Sequence, residues 1–117
     1  MGQAAALQLA KEGAKLSLVD LNENGLKETN DLVLEVAPEC ETLLITANCA
    51  KEEEVKNYVD ETVAKFGKID GFFNNAGVEG KQNLTEDYTS DEFKWVIDIN
   101  LNGVFYGMQY VLKEMKN

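Results

Sequence analysis

The chain reads as an α/β domain built around a parallel sheet, and three observations predict it. Apolar residues recur at helical spacing in some segments and in short, strand-like runs in others. The two patterns alternate along almost the whole chain, and the connections between them are short. Helix, strand, helix, strand, helix, strand, helix in this form is how a sheet of parallel strands joined by helical crossovers is written in sequence. The single hand of such crossovers leaves few topologies open.

Each element has its own warrant. Residues 4–13 read as a helix, with Ala6, Leu7 and Ala10 on one face and Gly13 placed to end it. Residues 15–20 are a short strand, with Leu16 and Leu18 on one side of Ser17. Asn22 is a suitable cap for the next helix, whose Leu26, Leu32, Val33 and Val36 lead up to Pro38. Residues 42–47 form the second strand. A helix over residues 52–66 puts Val55, Val59, Val63 and Phe66 on one face and stops at Gly67. Residues 69–73 read as a third strand, running into Asn74-Asn75-Ala76-Gly77. After a loop, Thr89 and Glu92 fit a capping box. Phe93, Val96, Asn100, Val104, Met108, Val111 and Met115 then mark a long amphipathic helix.

Composition narrows the function. A chain of 117 residues suits one domain, and 44% hydrophobic with 27% charged residues is the balance of a soluble globular protein. No apolar run approaches the length that spans a bilayer, and no basic region precedes the short apolar start, so neither a membrane segment nor a signal peptide is expected. The net charge of −10 repels a phosphate backbone and argues against nucleic acid as a partner. Part of that acidity, Glu52-Glu53-Glu54, sits where a helix begins and carboxylates favour its dipole. Cys40 and Cys49 lie nine apart and there is no histidine. No metal site is therefore expected, and catalysis by serine–histidine or cysteine–histidine pairs is excluded. Two reduced thiols fit a cytoplasmic location.

Several motifs, in order, resemble the short-chain dehydrogenase/reductase family. The start, Gly2-Gln3-Ala4-Ala5-Ala6-Leu7, looks like the end of the family's turn Thr-Gly-x-x-x-Gly-x-Gly entering its first helix, with Gly2 as the last glycine and Met1 between the final two. Taken alone, one glycine before an alanine-rich helix carries no weight. Asp20 closes the strand that follows. The resemblance implies that it accepts hydrogen bonds from the adenosine ribose hydroxyls and disfavours a 2′-phosphate, selecting NAD, and neither Leu21 nor Asn22 supplies an arginine to reverse that. In isolation Asp20 is better read as starting a turn or capping the next helix, and it is Gly2, eighteen residues earlier, that favours the ribose. Asn48 stands where the family usually has an aspartate at the adenine edge, followed by Cys49; a turn asparagine is the equal alternative. Asn74-Asn75-Ala76-Gly77 is the most specific match, and the resemblance places Asn75, Ala76 and Gly77 against the cofactor. Asn100, in Ile99-Asn100-Leu101-Asn102-Gly103, resembles the asparagine of the family's catalytic tetrad of Asn, Ser, Tyr and Lys. Its implied role is to loosen the helix and hold a water of the proton relay. A buried asparagine on an apolar helix face otherwise costs free energy. Asn102 is placed as a surface or loop-facing neighbour.

The resemblance implies a partial NAD(P)-binding Rossmann domain over residues 1–117, a doubly wound parallel sheet lacking its first strand. It implies a piece of an NAD-dependent oxidoreductase that interconverts a secondary alcohol and a ketone, and a homo-oligomer. The loop from Val78 to Asn83, with Glu79 and Lys81, resembles members acting on cyclic ketones or alcohols. No Tyr-x-x-x-Lys occurs in the chain, so the isolated chain is expected to be inactive. The alternative is a non-catalytic nucleotide-binding or dimerising module. In a sheet of order 3-2-1-4-5-6 the lacking strand is central. The strand ending at Asp20 and the strand ending at Phe73 are then expected to pair directly, to admit another chain, or to pack loosely, leaving Val104, Met108 and Val111 in need of cover.

Overall fold

The computed structural model describes residues 2–77, 80 and 82–116. The first helix, α1, spans Gly2–Lys11 and is followed by β1 (Leu16–Asp20), α2 (Glu23–Val36), β2 (Thr42–Thr46) and α3 (Glu52–Phe66). A single 3-10 turn at Thr85–Asp87 precedes α4 (Ser90–Ile97), a π-helical turn (Asp98–Asn102) and α5 (Gly103–Met115). Gly13 and Gly67 both adopt positive φ, 87° and 85°, so each ends its helix in the left-handed conformation that a Cβ disfavours. Asn22 caps α2 by accepting from the Gly25 N–H at 3.0 Å, and Thr89 caps α4 by accepting from the Glu92 N–H at 3.2 Å.

β1 and β2 pair in parallel, with Leu16 opposite Thr42 and Asp20 opposite Thr46. Alternation along the strands sends side chains to two opposite faces. On one, Leu16 and Leu18 meet Ala6 and Ala10 of α1 and Val33 of α2. On the other, Val19, Leu43 and Ile45 meet Val55 and Val59 of α3 and Val111 of α5. The Ser17 and Thr62 hydroxyls join β1 to α3 at 2.7 Å. Helices on both faces of a parallel sheet make this the partial doubly wound arrangement that the sequence predicts.

The third strand is a correction. Residues 69–73 carry no sheet pairing, and among the described residues the sheet has two strands. A strand needs a neighbour to take its N–H and C=O groups. In the expected order that neighbour stands between residues 69–73 and β1, and no described residue occupies the position. Direct pairing of this run with β1 therefore does not occur. Instead the run is held by side chains: Phe72 lies against Tyr58 of α3, ring centroids 6.5 Å apart, and against Gly107 of α5. Phe73 is exposed.

The outcome is an open domain. The radius of gyration is 15.5 Å, against about 13 Å for a closed domain of this length. Val111 finds cover and is buried, Val104 is half-buried and Met108 is exposed. With Phe72, Asn74, Leu112 and Met115 they line an apolar groove of about 400 Å³. Among the described residues no helix is long and apolar enough to cross a membrane.

Candidate functional site

Parallel pairing puts the carboxyl ends of β1 and β2 on the same edge, and open α/β sheets take ligands beyond that edge. Asp20 ends β1 there, and its carbonyl accepts from the Ala47 N–H at 3.0 Å, carrying the ladder one step past β2. The Asp20 side chain is exposed. Its Oδ1 takes only a long bond, 3.4 Å, from the Asn22 N–H, and no cationic side chain pairs with it among the described residues.

Asn48 and Cys49 follow β2 beside it. The backbone N–H of Asn48 donates to Glu54 Oε1 at 3.0 Å, and Asn48 Oδ1 accepts from the Ala50 N–H at 3.0 Å. Asn48 thus forms an Asx turn that leads the chain into α3. Burial pushes the Cys49 thiol up from its ordinary pKa, and the carboxylates of Asp20 and Glu54 add to that rise. The thiol stays protonated at neutral pH and is a poor nucleophile.

The turn after residues 69–73 approaches both ends of this edge. Gly2 opens α1 against Asn75, where a Cβ on Gly2 would stand 3.2 Å from Asn75 Nδ2. Asn74 Nδ2 donates to the Val104 carbonyl at 2.9 Å and ties the turn to α5. Gly77 lies against Asn100, where a Cβ would be 3.4 Å from Asn100 Oδ1. Gly2, Asn75, Gly77 and Asn100 therefore lie in two adjoining contacts, and Asp20, Asn48 and Cys49 form a second group around the strand ends. Ala76 is exposed within the turn.

Asn100 falls inside the π turn, which is local loosening of the helix of the kind expected at that position. Its burial is a correction: Asn100 is exposed, and Ile99 takes the buried position. The wider turn rotates the helix face at this point, so α-helical periodicity misplaces the residue. Asn102 is half-buried and not a plain surface residue, donating from Nδ2 to Asp98 Oδ1 at 2.9 Å. Met1, Val78, Glu79 and Lys81, on which other expectations fell, lie outside the described residues.

Two residues that shape the site escaped the sequence reading. Glu54 holds the Asn48 N–H, and Gly103 admits the Cys49 carbonyl, which a Cβ would approach to 2.7 Å. Asn74, the first residue of the Asn74–Gly77 motif, anchors the turn. A glycine inside a helical pattern is the signal that could have found Gly103.

Comparison with known proteins fits this geometry. The family model for enoyl-(acyl carrier protein) reductase matches residues 1–117. Levodione reductase of Leifsonia aquatica is 53% identical over 116 residues, 99% of this chain and 43% of that protein. Cyclohexanol dehydrogenase of Acinetobacter sp. (strain SE19) is 36% identical over 110 residues, 94% of this chain and 43% of that protein. The crystal structure of levodione reductase superposes with a TM-score of 0.93 at 53% identity, over 97% of this chain and 44% of that one. NAD+-bound xylitol dehydrogenase gives a TM-score of 0.90 at 38% identity, over 97% and 43%. The chain spans less than half the length of these relatives. A matching family model over the whole sequence and a partial Rossmann fold agree: the chain belongs to the short-chain dehydrogenase/reductase family.

Proposed function

We propose that this chain is the NAD-binding part of an oxidoreductase that interconverts a secondary alcohol and a ketone by hydride transfer, with cyclic substrates favoured. The observation that carries the reading is Asp20, an exposed carboxylate at the end of β1 with no cation beside it among the described residues. A carboxylate there accepts from two ribose hydroxyls and repels a 2′-phosphate. NAD, when bound, supplies the hydride acceptor or donor. Gly2 leaves room at the start of α1, where unpaired backbone N–H groups favour a pyrophosphate. Asn48 and Cys49 border the base end, while Asn75, Ala76 and Gly77 line the approach to the nicotinamide end. Asn100, beside Gly77, positions the proton relay of the whole enzyme. The cyclic substrate class draws on the names of two relatives, levodione reductase and cyclohexanol dehydrogenase.

Calorimetric titration of the chain with AMP and with 2′,5′-ADP tests the reading. AMP binds at least tenfold tighter, and Asp20→Ala removes the difference. Equal affinity for the two in the unaltered chain would sink the NAD assignment.

The isolated chain is proposed to be inactive, because its 117 residues hold no Tyr-x-x-x-Lys to exchange the proton. Oxidation of NADH by the pure chain with cyclohexanone would refute that. A cytoplasmic location belongs to the same proposal, supported by two unpaired cysteines. A second reading, a non-catalytic module that binds a nucleotide and self-associates, draws support from the exposed apolar stripe of α5, and homo-oligomerisation is common to both readings.

A further inference from the structure

Asp98 stands at the junction where the helix widens. Its N–H bonds back to the carbonyls of Lys94 and Trp95, the last rung of α4. Its own carbonyl accepts from the Gly103 N–H, five residues on, where a regular α-helix would offer the N–H of Asn102. The side chains join the pair that the backbone leaves apart: Asn102 Nδ2 donates to Asp98 Oδ1 at 2.9 Å. A carboxylate only accepts, so the amide nitrogen must face it. Asp98 therefore grips both residues at the far end of the turn, Gly103 through its carbonyl and Asn102 through its carboxylate.

Two contacts fix what the turn has to span. Gly103 lies against the Cys49 carbonyl, where a Cβ would stand 2.7 Å away. Asn100 Oδ1 would stand 3.4 Å from a Cβ on Gly77. With Gly103 held in place, closing the turn to an α-helical bond takes one residue out of it and rotates Asn100 relative to Gly77. A single π turn has no neighbouring turns of its own geometry to brace it. A side-chain bond across it therefore carries more weight than an i,i+4 pair in a regular helix. We propose that Asn102 is a positioning residue, whose bond to Asp98 pins the π turn and so keeps Asn100 against Gly77. Its meaning for catalysis rests on the reading that Asn100 positions the proton relay.

The test is nuclear magnetic resonance of the nitrogen-15-labelled chain, with urea unfolding beside it. The reporters are the Asn100 side-chain amide and the backbone N–H of Gly77, which touches Asn100 but is far from position 102 in sequence. Asn102→Ala removes the donor. Asn102→Asp sets carboxylate against carboxylate, and adding Asp98→Asn to it restores the bond with donor and acceptor exchanged. Both single variants should displace the two signals, and the double variant should return them to their original places. If Asn102→Asp fails to fold, Asn102→Ala, which adds no charge, carries the same test. Signals that stay in place in Asn102→Ala while the urea midpoint falls make the bond an ordinary helix staple and overturn the proposal. So do signals that the exchanged pair does not bring back. The reading of Asn100 fails separately: a successful rescue, with kcat of the full-length enzyme unchanged by Asn100→Ala, supports the positioning by Asn102 and removes the relay.

Discussion

Gly103 lies directly against the carbonyl oxygen of Cys49, where a Cβ would stand 2.7 Å away. This contact lets α5 start against the end of β2, so the π turn and Asn100 reach the same edge as Asp20. The opposing atom is backbone, which gives way less easily than the tip of a side chain.

Gly103→Ala is therefore expected to destabilise the chain by about 1–2 kcal/mol, overpacking outweighing the better helix propensity of alanine. Gly71→Ala is the control, since a Cβ there meets nothing within 4 Å. Urea unfolding should show a lower midpoint for the first and none for the second. Equal midpoints would mean that α5 is free to shift away from Cys49.

Cofactor choice should turn on two adjacent positions. In the proposed site, Asp20 is the carboxylate set against a 2′-phosphate, and Leu21, exposed beside it, carries no cation. Replacing Asp20 with Ser and Leu21 with Arg reverses both features. Affinity for 2′,5′-ADP should rise at least tenfold relative to AMP, measured by titration. An unchanged ratio would place the ribose elsewhere.

Some of this architecture is legible in the sequence and some is not. Apolar alternation locates β1 and β2 to within a residue, because burial on two faces constrains every position of a short strand. The same signal at residues 69–73 marks a run suited to a strand, but pairing is a relation to a neighbour that periodicity does not encode. Side-chain placement around Asn100 is misread for a related reason: one π turn changes the angular step that a helical reading assumes. The approaches of Gly2 to Asn75 and of Gly77 to Asn100 join segments distant in sequence, and only the motif resemblance, not spacing, points to them.

Alkaline pH should weaken the fold through Tyr58. Burial raises its phenol well above the ordinary value, with the nearby Cys49 adding to the shift. A raised folded pKa means that the folded state keeps its proton where the unfolded state has lost it. Stability is then fully present below the unfolded value, about pH 10, and falls above it by about 1.4 kcal/mol per pH unit for this one group. Tyr58→Phe should flatten that decline in urea midpoints measured from pH 9 to 11. An equal slope in both proteins would assign the loss to other groups.

Self-association should follow from α5. Phe105, Met108, Leu112 and Met115 are all exposed and recur at steps of three, four and three residues, the spacing of a helix–helix seam. Exposed apolar stripes of this length favour a partner. Asp98 lies at one end of the segment and Lys113 and Lys116 at the other, so an antiparallel second copy brings opposite charges together. Sedimentation velocity should find the chain as a dimer or larger species. Phe105→Glu combined with Leu112→Glu, each adding a charge to the seam, should yield a folded monomer. An unaltered chain that sediments as a monomer at every concentration would show that the stripe is covered in some other way than by a second copy.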